Sequence, residues 1–216
     1  MTLLLLHAFP LDGRMWETLG RDDAIAPRLY APGATMDEWA EALLERIDGP
    51  FLACGSSMGG YCALAIARRA PERLTGLVLT GARLGSDPPD RRAGRADTIE
   101  LIRSQGPPAL WEDMRPKLFP ETAPEGVVSR ARQIALEQDP DDLVRGVEAI
   151  RDRPDSTAAL SSLAVPVVLA IGEHDTFFTP EEARATGHRV RVFPGVGHLP
   201  PMERPREFNE LLDSLL

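Results

Sequence analysis

Short apolar runs, separated by amphipathic or glycine-rich stretches, recur along the chain. Leu3 to Leu6 is uninterrupted leucine and stops at His7-Ala8-Phe9-Pro10, the pattern of a fully buried strand running into a loop. Ala24-Ile25-Ala26 reads as a second, weaker strand. From Thr35 to Ile47, residues Trp39, Leu43, Leu44 and Ile47 recur at helical spacing, and Thr35 with Glu38 three positions on has the form of a capped helix start. Phe51 to Cys54 predicts a buried strand, Gly55 to Gly60 a turn, and Tyr61 to Arg69 a helix that stops near Pro71. Leu77-Val78-Leu79, Val165 to Ile171 and Val190 to Phe193 predict three more strands, and a last helix covers Phe208 to Leu216.

Strands that are apolar throughout and alternate with helices imply a mostly parallel sheet covered on both faces, an α/β fold. Between Arg83 and Leu163 the pattern is helical only, over roughly 91–105, 108–115, 125–138 and 141–152, punctuated by Pro88, Pro89, Pro107, Pro108, Pro124, Pro140 and Pro154. This predicts a core of residues 1–82 and 164–216 and a helical cap of residues 83–163, inserted before the strand that leads to Asp175. Charges in the insertion are mixed and nearly balanced, so its arginines read as a solvated outer face.

Composition narrows the function classes. At 216 residues the chain suits one domain, given about 100 to 200 residues per domain. No stretch is apolar for long enough to cross a bilayer, and Leu3 to Leu6 lacks the flanks of a signal peptide, so the expected compartment is the cytoplasm. A net charge of −9 argues against a nucleic-acid partner, which needs clustered cations. Lys117 is the only lysine among 24 basic residues, a skew that fits a GC-rich bacterial genome. Cys54 and Cys62 show no metal-ligand spacing and read as two buried free thiols; no metal and no cofactor are expected.

Candidate chemistry gathers at the predicted strand ends. Gly55-Ser56-Ser57-Met58-Gly59 matches G-x-S-x-G between an apolar strand and a helix, the context of a nucleophile elbow, where glycines permit a sharp turn around an exposed serine. A serine hydroxyl needs a base in reach and a third group to orient that base. Asp175 follows the strand ending at Ile171 and His198 the strand ending at Phe193, which gives the order Ser57, Asp175, His198. Parallel strands deliver their carboxyl ends to one sheet edge, so the three can converge. His174 is a weaker base, since it precedes the acid in the same turn; Glu173 is the fallback acid, and Glu203 reads as a structural hydrogen-bond partner behind the His198 loop. The backbone N–H groups of Met58 and Phe9 are the candidate oxyanion donors. Trp111, Met114, Leu118 and Phe119 recur at roughly helical spacing and read either as cap helices packing on one another or as a substrate-pocket wall.

With these residues in view, the sequence resembles the α/β-hydrolase superfamily over nearly its whole length, particularly small bacterial carboxylesterases and enol-lactone hydrolases. HAFP stands where the family has HGFP, GSSMGG where it has GxSMGG, GEHDTFFTP where it has GxxDxxTP, and GVGHLPPMERPREFNELL where it has a GxGHxxxxExPxxF ending. The resemblance implies an ester or related acyl substrate of small, partly apolar character, an acyl-enzyme on Ser57, a helical cap and no cofactor. Lactonase, thioesterase, C–C hydrolase, perhydrolase and lyase reactions resemble the same motif set, as do some hydrolase-like ligand receptors. Two departures stand out. The family's first two strands have no counterpart before Leu3, which predicts a sheet of about six strands with one less protected edge. Pro27 to Gly33 also replaces the family's Asp-Leu-x-Gly-x-Gly stretch.

Overall fold

The computed structural model describes residues 2–30 and 33–216; Met1 and, within the Pro27 to Gly33 departure, Ala31 and Pro32 lie outside the described residues. Five strands, β1 (Thr2–Leu6), β2 (Phe51–Ser56), β3 (Leu74–Thr80), β4 (Val167–Gly172) and β5 (Arg189–Phe193), form one sheet in the order β1-β2-β3-β4-β5, every pair parallel. The expected sixth strand shrinks to a bridge. Ile25 pairs with Leu4 on the outer side of β1, accepting from the Leu5 N–H at 2.8 Å and donating to the Leu3 carbonyl at 2.9 Å. Ile25 remains 38% exposed there, whereas the opposite edge strand turns Arg189 and Arg191 outward, the usual way of blunting an edge.

Alternation along each strand divides the core in two. Leu4 and Leu6 of β1, Ala53 of β2, Leu77 and Leu79 of β3 and Leu169 and Ile171 of β4 face α1 (Met36–Leu44) and α2 (Met58–Arg69). Leu3, Leu5, Leu52, Cys54, Val78, Val168 and Ala170 face the other way, toward a 3-10 helix at Gly13–Leu19 that the hydrophobic pattern had not signalled. Both cysteines are free and buried, and desolvation holds the Cys62 thiol up at about 12. Between β1 and β2 the chain first goes outward to Ile25 and then returns across β1. Connections thus diverge beside the carboxyl ends of β1 and β2, and such a switch point opens a crevice.

The helices refine the expected ones. Thr35 and Glu38 form a reciprocal capping box at the start of α1. From β3 to β4 the chain forms α3 (Pro89–Leu118), α4 (Glu125–Leu136), α5 (Pro140–Asp152) and the short α6 (Thr157–Ser161). The two helices expected at 91–105 and 108–115 are both present as the two halves of α3, separated at Gly106, whose φ of 72° and ψ of −172° are not helical and whose φ no ordinary side chain adopts comfortably. Helix α3 packs on α4 and α5, while α6 packs on α2. After β4 come α7 (Pro180–Ala185), α8 (Pro200–Glu203) and α9 (Pro205–Asp213), so the last helix is split at Arg204 and starts before Phe208. No helix of the described residues is long and apolar enough to cross a membrane.

Candidate active site

Strand β2 runs into Ser57 without a loop, and α2 begins at the next residue, three positions earlier than Tyr61. The turn is possible because two glycines leave room. A Cβ at Gly59 would sit 2.1 Å from the Leu6 carbonyl oxygen, and one at Gly55 would sit 2.4 Å from that of Gly59. Ser57 itself has φ 49° and ψ −109°, the only non-glycine at positive φ among the described residues, and its N–H donates to the Thr80 carbonyl at 2.7 Å. Strain of this kind persists only where the surroundings fix it. The amino end of α2 also directs the positive end of its dipole at this turn.

Asp175 follows β4 by three residues and is 3% exposed. Its Oδ1 accepts from the Phe177 and Phe178 N–H groups at 2.8 and 3.1 Å, and its Oδ2 lies 2.9 Å from His198 Nδ1. Only Nδ1–H can serve a carboxylate here, so Nε2 is left as the ring's acceptor. His198 is 1% exposed, and the ring of Phe177 covers it at 4.6 Å between centroids. Its backbone N–H donates to the Leu118 carbonyl at 2.8 Å, at the end of α3. The preceding Gly197 N–H donates to Glu203 Oε1 at 3.0 Å, and a Cβ at Gly172 would meet the Gly197 oxygen at 1.7 Å. Gly81, at φ 61°, leaves the space that His198 occupies, since a Cβ there would be 2.3 Å from Cε1. Burial raises the Glu203 carboxyl to about 7, against the hydrogen bond from Gly197 that favours its charge.

Ser57 and His198 line one cavity of about 110 Å³, with Phe9 and Met114 among its walls. His174 and Glu173 lie on the exposed side of their turn; the Glu173 carboxylate accepts from the Gly195 N–H at 2.8 Å. The Phe9 and Met58 N–H groups donate to no protein acceptor among the described residues. The loop that carries Phe9 is pinned by His7, a residue the sequence had not singled out. Fully buried, His7 accepts the Leu29 N–H on Nε2 at 2.9 Å, which puts its proton on Nδ1 beside the Ala8 carbonyl at 3.2 Å; desolvation lowers its pKa to about 4, so the ring is neutral. Of the four apolar residues named in α3 and just after it, Met114 alone reaches the cavity. Trp111 and Phe119 pack on each other at 6.4 Å and are buried with Leu118 against the second face of the sheet. Sequence periodicity also missed Tyr61, Arg91, Arg95, Ile150 and Phe177 as cavity residues.

Known proteins share this architecture. A pimeloyl-(acyl-carrier protein) methyl ester esterase of Aromatoleum aromaticum is 27% identical over 99% of this chain and 97% of its own length. A 2-succinyl-6-hydroxy-2,4-cyclohexadiene-1-carboxylate synthase of Enterobacter sp. is 27% identical over 99% and 91%. Among solved structures, a thermophilic esterase from Thermogutta terrifontis, bound to malate, superposes with a TM-score of 0.91 at 32% identity, covering 99% of this chain and 88% of that one. The sequence profile of the alpha/beta hydrolase family matches residues 3–211, nearly the whole length. The chain belongs to the alpha/beta hydrolase family.

Proposed function

We propose that this protein is a serine hydrolase that cleaves carboxylic esters through an acyl-enzyme on Ser57. The observation that carries this reading is the buried Asp175–His198 hydrogen bond beside a cavity that also contains a serine held at positive φ at the head of α2. Ser57 Oγ attacks the ester carbonyl while His198 Nε2 takes its proton. Asp175 holds the ring in the required tautomer and stabilises the imidazolium that forms. The negative oxygen of the tetrahedral intermediate receives the free N–H groups of Phe9 and Met58. Collapse breaks the bond to the alcohol, which leaves with the proton from His198. Water then repeats the sequence, with its proton passing to His198, and the acid is released from Ser57. Esterases among the relatives support the bond type. The cap reading of residues 83–163 is supported by α3 and α5, whose residues line this cavity with Ser57 and His198, and two free buried thiols fit a reducing cytoplasm.

The test pairs labelling with turnover. A fluorophosphonate is expected to modify Ser57 alone, and p-nitrophenyl esters are expected to be hydrolysed by the wild type and not by Ser57→Ala. An adduct mapped to Ser56, or unchanged turnover in Ser57→Ala, overturns the assignment. Binding of an ester without turnover favours a receptor instead.

A further inference from the structure

The cavity beside Ser57 is cationic in an acidic protein. Arg91 and Arg95 line it from one face of α3, a single turn apart, in a chain whose net charge is −9. Like charges spaced by four residues on a helix repel each other, so this pair is a cost to the folded protein unless something else uses it. Neither charge is fully compensated. Arg91 has no carboxylate within 4.0 Å among the described residues; its one contact, Nη1 to the Phe177 carbonyl, is 3.5 Å long, and Arg83 already donates to that oxygen at 2.8 Å. Arg95 places Nε 2.9 Å from Asp87 Oδ2, but Asp87 is shared with Arg153, whose Nη1 is 2.8 Å from Oδ1. One buried carboxylate thus serves two guanidinium groups, and the terminal nitrogens of Arg95 donate to nothing among the described residues. Lys117 and Asp113, also at the cavity, neutralise each other at 2.7 Å.

A guanidinium fork with free N–H donors matches an oxyanion, above all a planar carboxylate that can accept two bonds at once. In a small cavity, partly shielded from water, such bonds are stronger than at an open surface. We propose that Arg91 and Arg95 form an anion subsite, and that the substrate cleaved at Ser57 carries a carboxylate besides its ester. Asp87 positions Arg95, and Arg91 supplies the uncompensated charge. The turnover consequence rests on the esterase reading above; the subsite itself does not.

Two measurements keep the two claims apart. The first compares half-methyl esters of the dicarboxylic acids from malonate to adipate with the matching neutral dimethyl esters, and, for an anion on the alcohol side, O-acetylglycolate with methyl O-acetylglycolate. At least one anionic ester is expected to exceed its neutral partner by about tenfold in kcat/KM, through KM, and the ratio is expected to fall by about tenfold in Arg91→Gln and further in Arg91→Glu. The advantage is also expected to shrink with added salt. Equal or reversed preference throughout, or a ratio that Arg91→Glu leaves intact, overturns the proposal. The second measurement is calorimetric binding of the free dicarboxylates to the wild type and to Arg91→Gln, which needs no turnover. Binding lost in the variant upholds the subsite even if no ester is cleaved, an outcome that would sink only the esterase reading; absence of binding by the wild type across the panel overturns the subsite.

Discussion

Ser57, Asp175 and His198 follow the carboxyl ends of β2, β4 and β5 and are held by main chain: Thr80 accepts from Ser57, Phe177 and Phe178 donate to Asp175, and Leu118 accepts from His198. Arg91, Arg95 and Met114 reach the same cavity from the two halves of α3, on either side of the break at Gly106, and Arg95 is held there by a side chain, that of Asp87. The first region fixes atoms to within a hydrogen bond, because any shift would break several backbone contacts. The second can change a side chain and keep its fold. Under the proposed function, this difference assigns chemistry to the sheet edge and selectivity to the helices.

The largest effect is expected on the sheet side. Ser57→Ala and His198→Ala should each reduce kcat by roughly a millionfold, and the double variant should lose little more, because residues that act as one unit are not additive. Stopped assays with a chromogenic ester, on variants with unchanged circular dichroism, check this. A double variant far slower than either single one would show that Ser57 and His198 work separately. Phe9 gives the next largest effect. Phe9→Pro deletes a backbone donor and should cost about a hundred- to a thousandfold in kcat, whereas Phe9→Ala keeps the N–H and should lose mainly substrate binding. Near wild-type kcat in a folded Phe9→Pro would move the second oxyanion donor elsewhere.

How much of this was readable beforehand follows the same divide. Leu3 to Leu6, Phe51 to Cys54 and Leu77 to Leu79 announce buried strands by apolar runs alone, and glycines at 55 and 59 announce the turn between them and α2. Order along the chain then singled out Ser57, Asp175 and His198. Ala24 to Ala26 was overread, because a three-residue run cannot distinguish a strand from one bridge. The insertion was harder. Arg91 and Arg95 look the same in sequence whether a helix face meets water or roofs a cavity, and only tertiary placement separates the two. Trp111 and Phe119 have the spacing of a pocket wall, but Trp111 on α3 and Phe119 just after it turn inward to the core. His7 gave no periodic signal, since its work is done by two ring nitrogens on a loop.

Glu203 sharpens the comparison by testing what the backbone scaffold behind His198 costs. Burial raises this carboxyl from its ordinary 4.5 to about 7, so the folded state favours the neutral acid. The stability it contributes is therefore complete below about pH 4.5 and is lost as pH rises through about 7. Glu203→Gln keeps an acceptor for the Gly197 N–H and removes the titration. Urea unfolding of both proteins from about pH 5 to about pH 8.5 should show the wild type losing on the order of 3 kcal/mol relative to the variant. A difference that stays flat with pH would mean that the carboxyl is solvated in the folded protein.

The smallest effect belongs to Met114, and it decides whether the helical side selects substrates at all. Its side chain lines the cavity, while Trp111, one turn away on α3, does not. Shortening Met114 to alanine enlarges the cavity by a few methylene-sized groups, each worth about 1 kcal/mol when it touches substrate. Met114→Ala should therefore shift the kcat/KM ratio between long and short acyl chains by about fivefold in favour of the longer ones. Trp111→Phe is the control, since it changes packing away from the cavity and should leave the ratio alone. Both ratios come from the same pair of p-nitrophenyl esters, so errors in enzyme concentration cancel. A shift in Trp111→Phe as large as that in Met114→Ala would mean that selectivity follows the general firmness of the insertion and not contact with the substrate. The separation between a fixed chemical edge and an adjustable helical wall would then have to be abandoned.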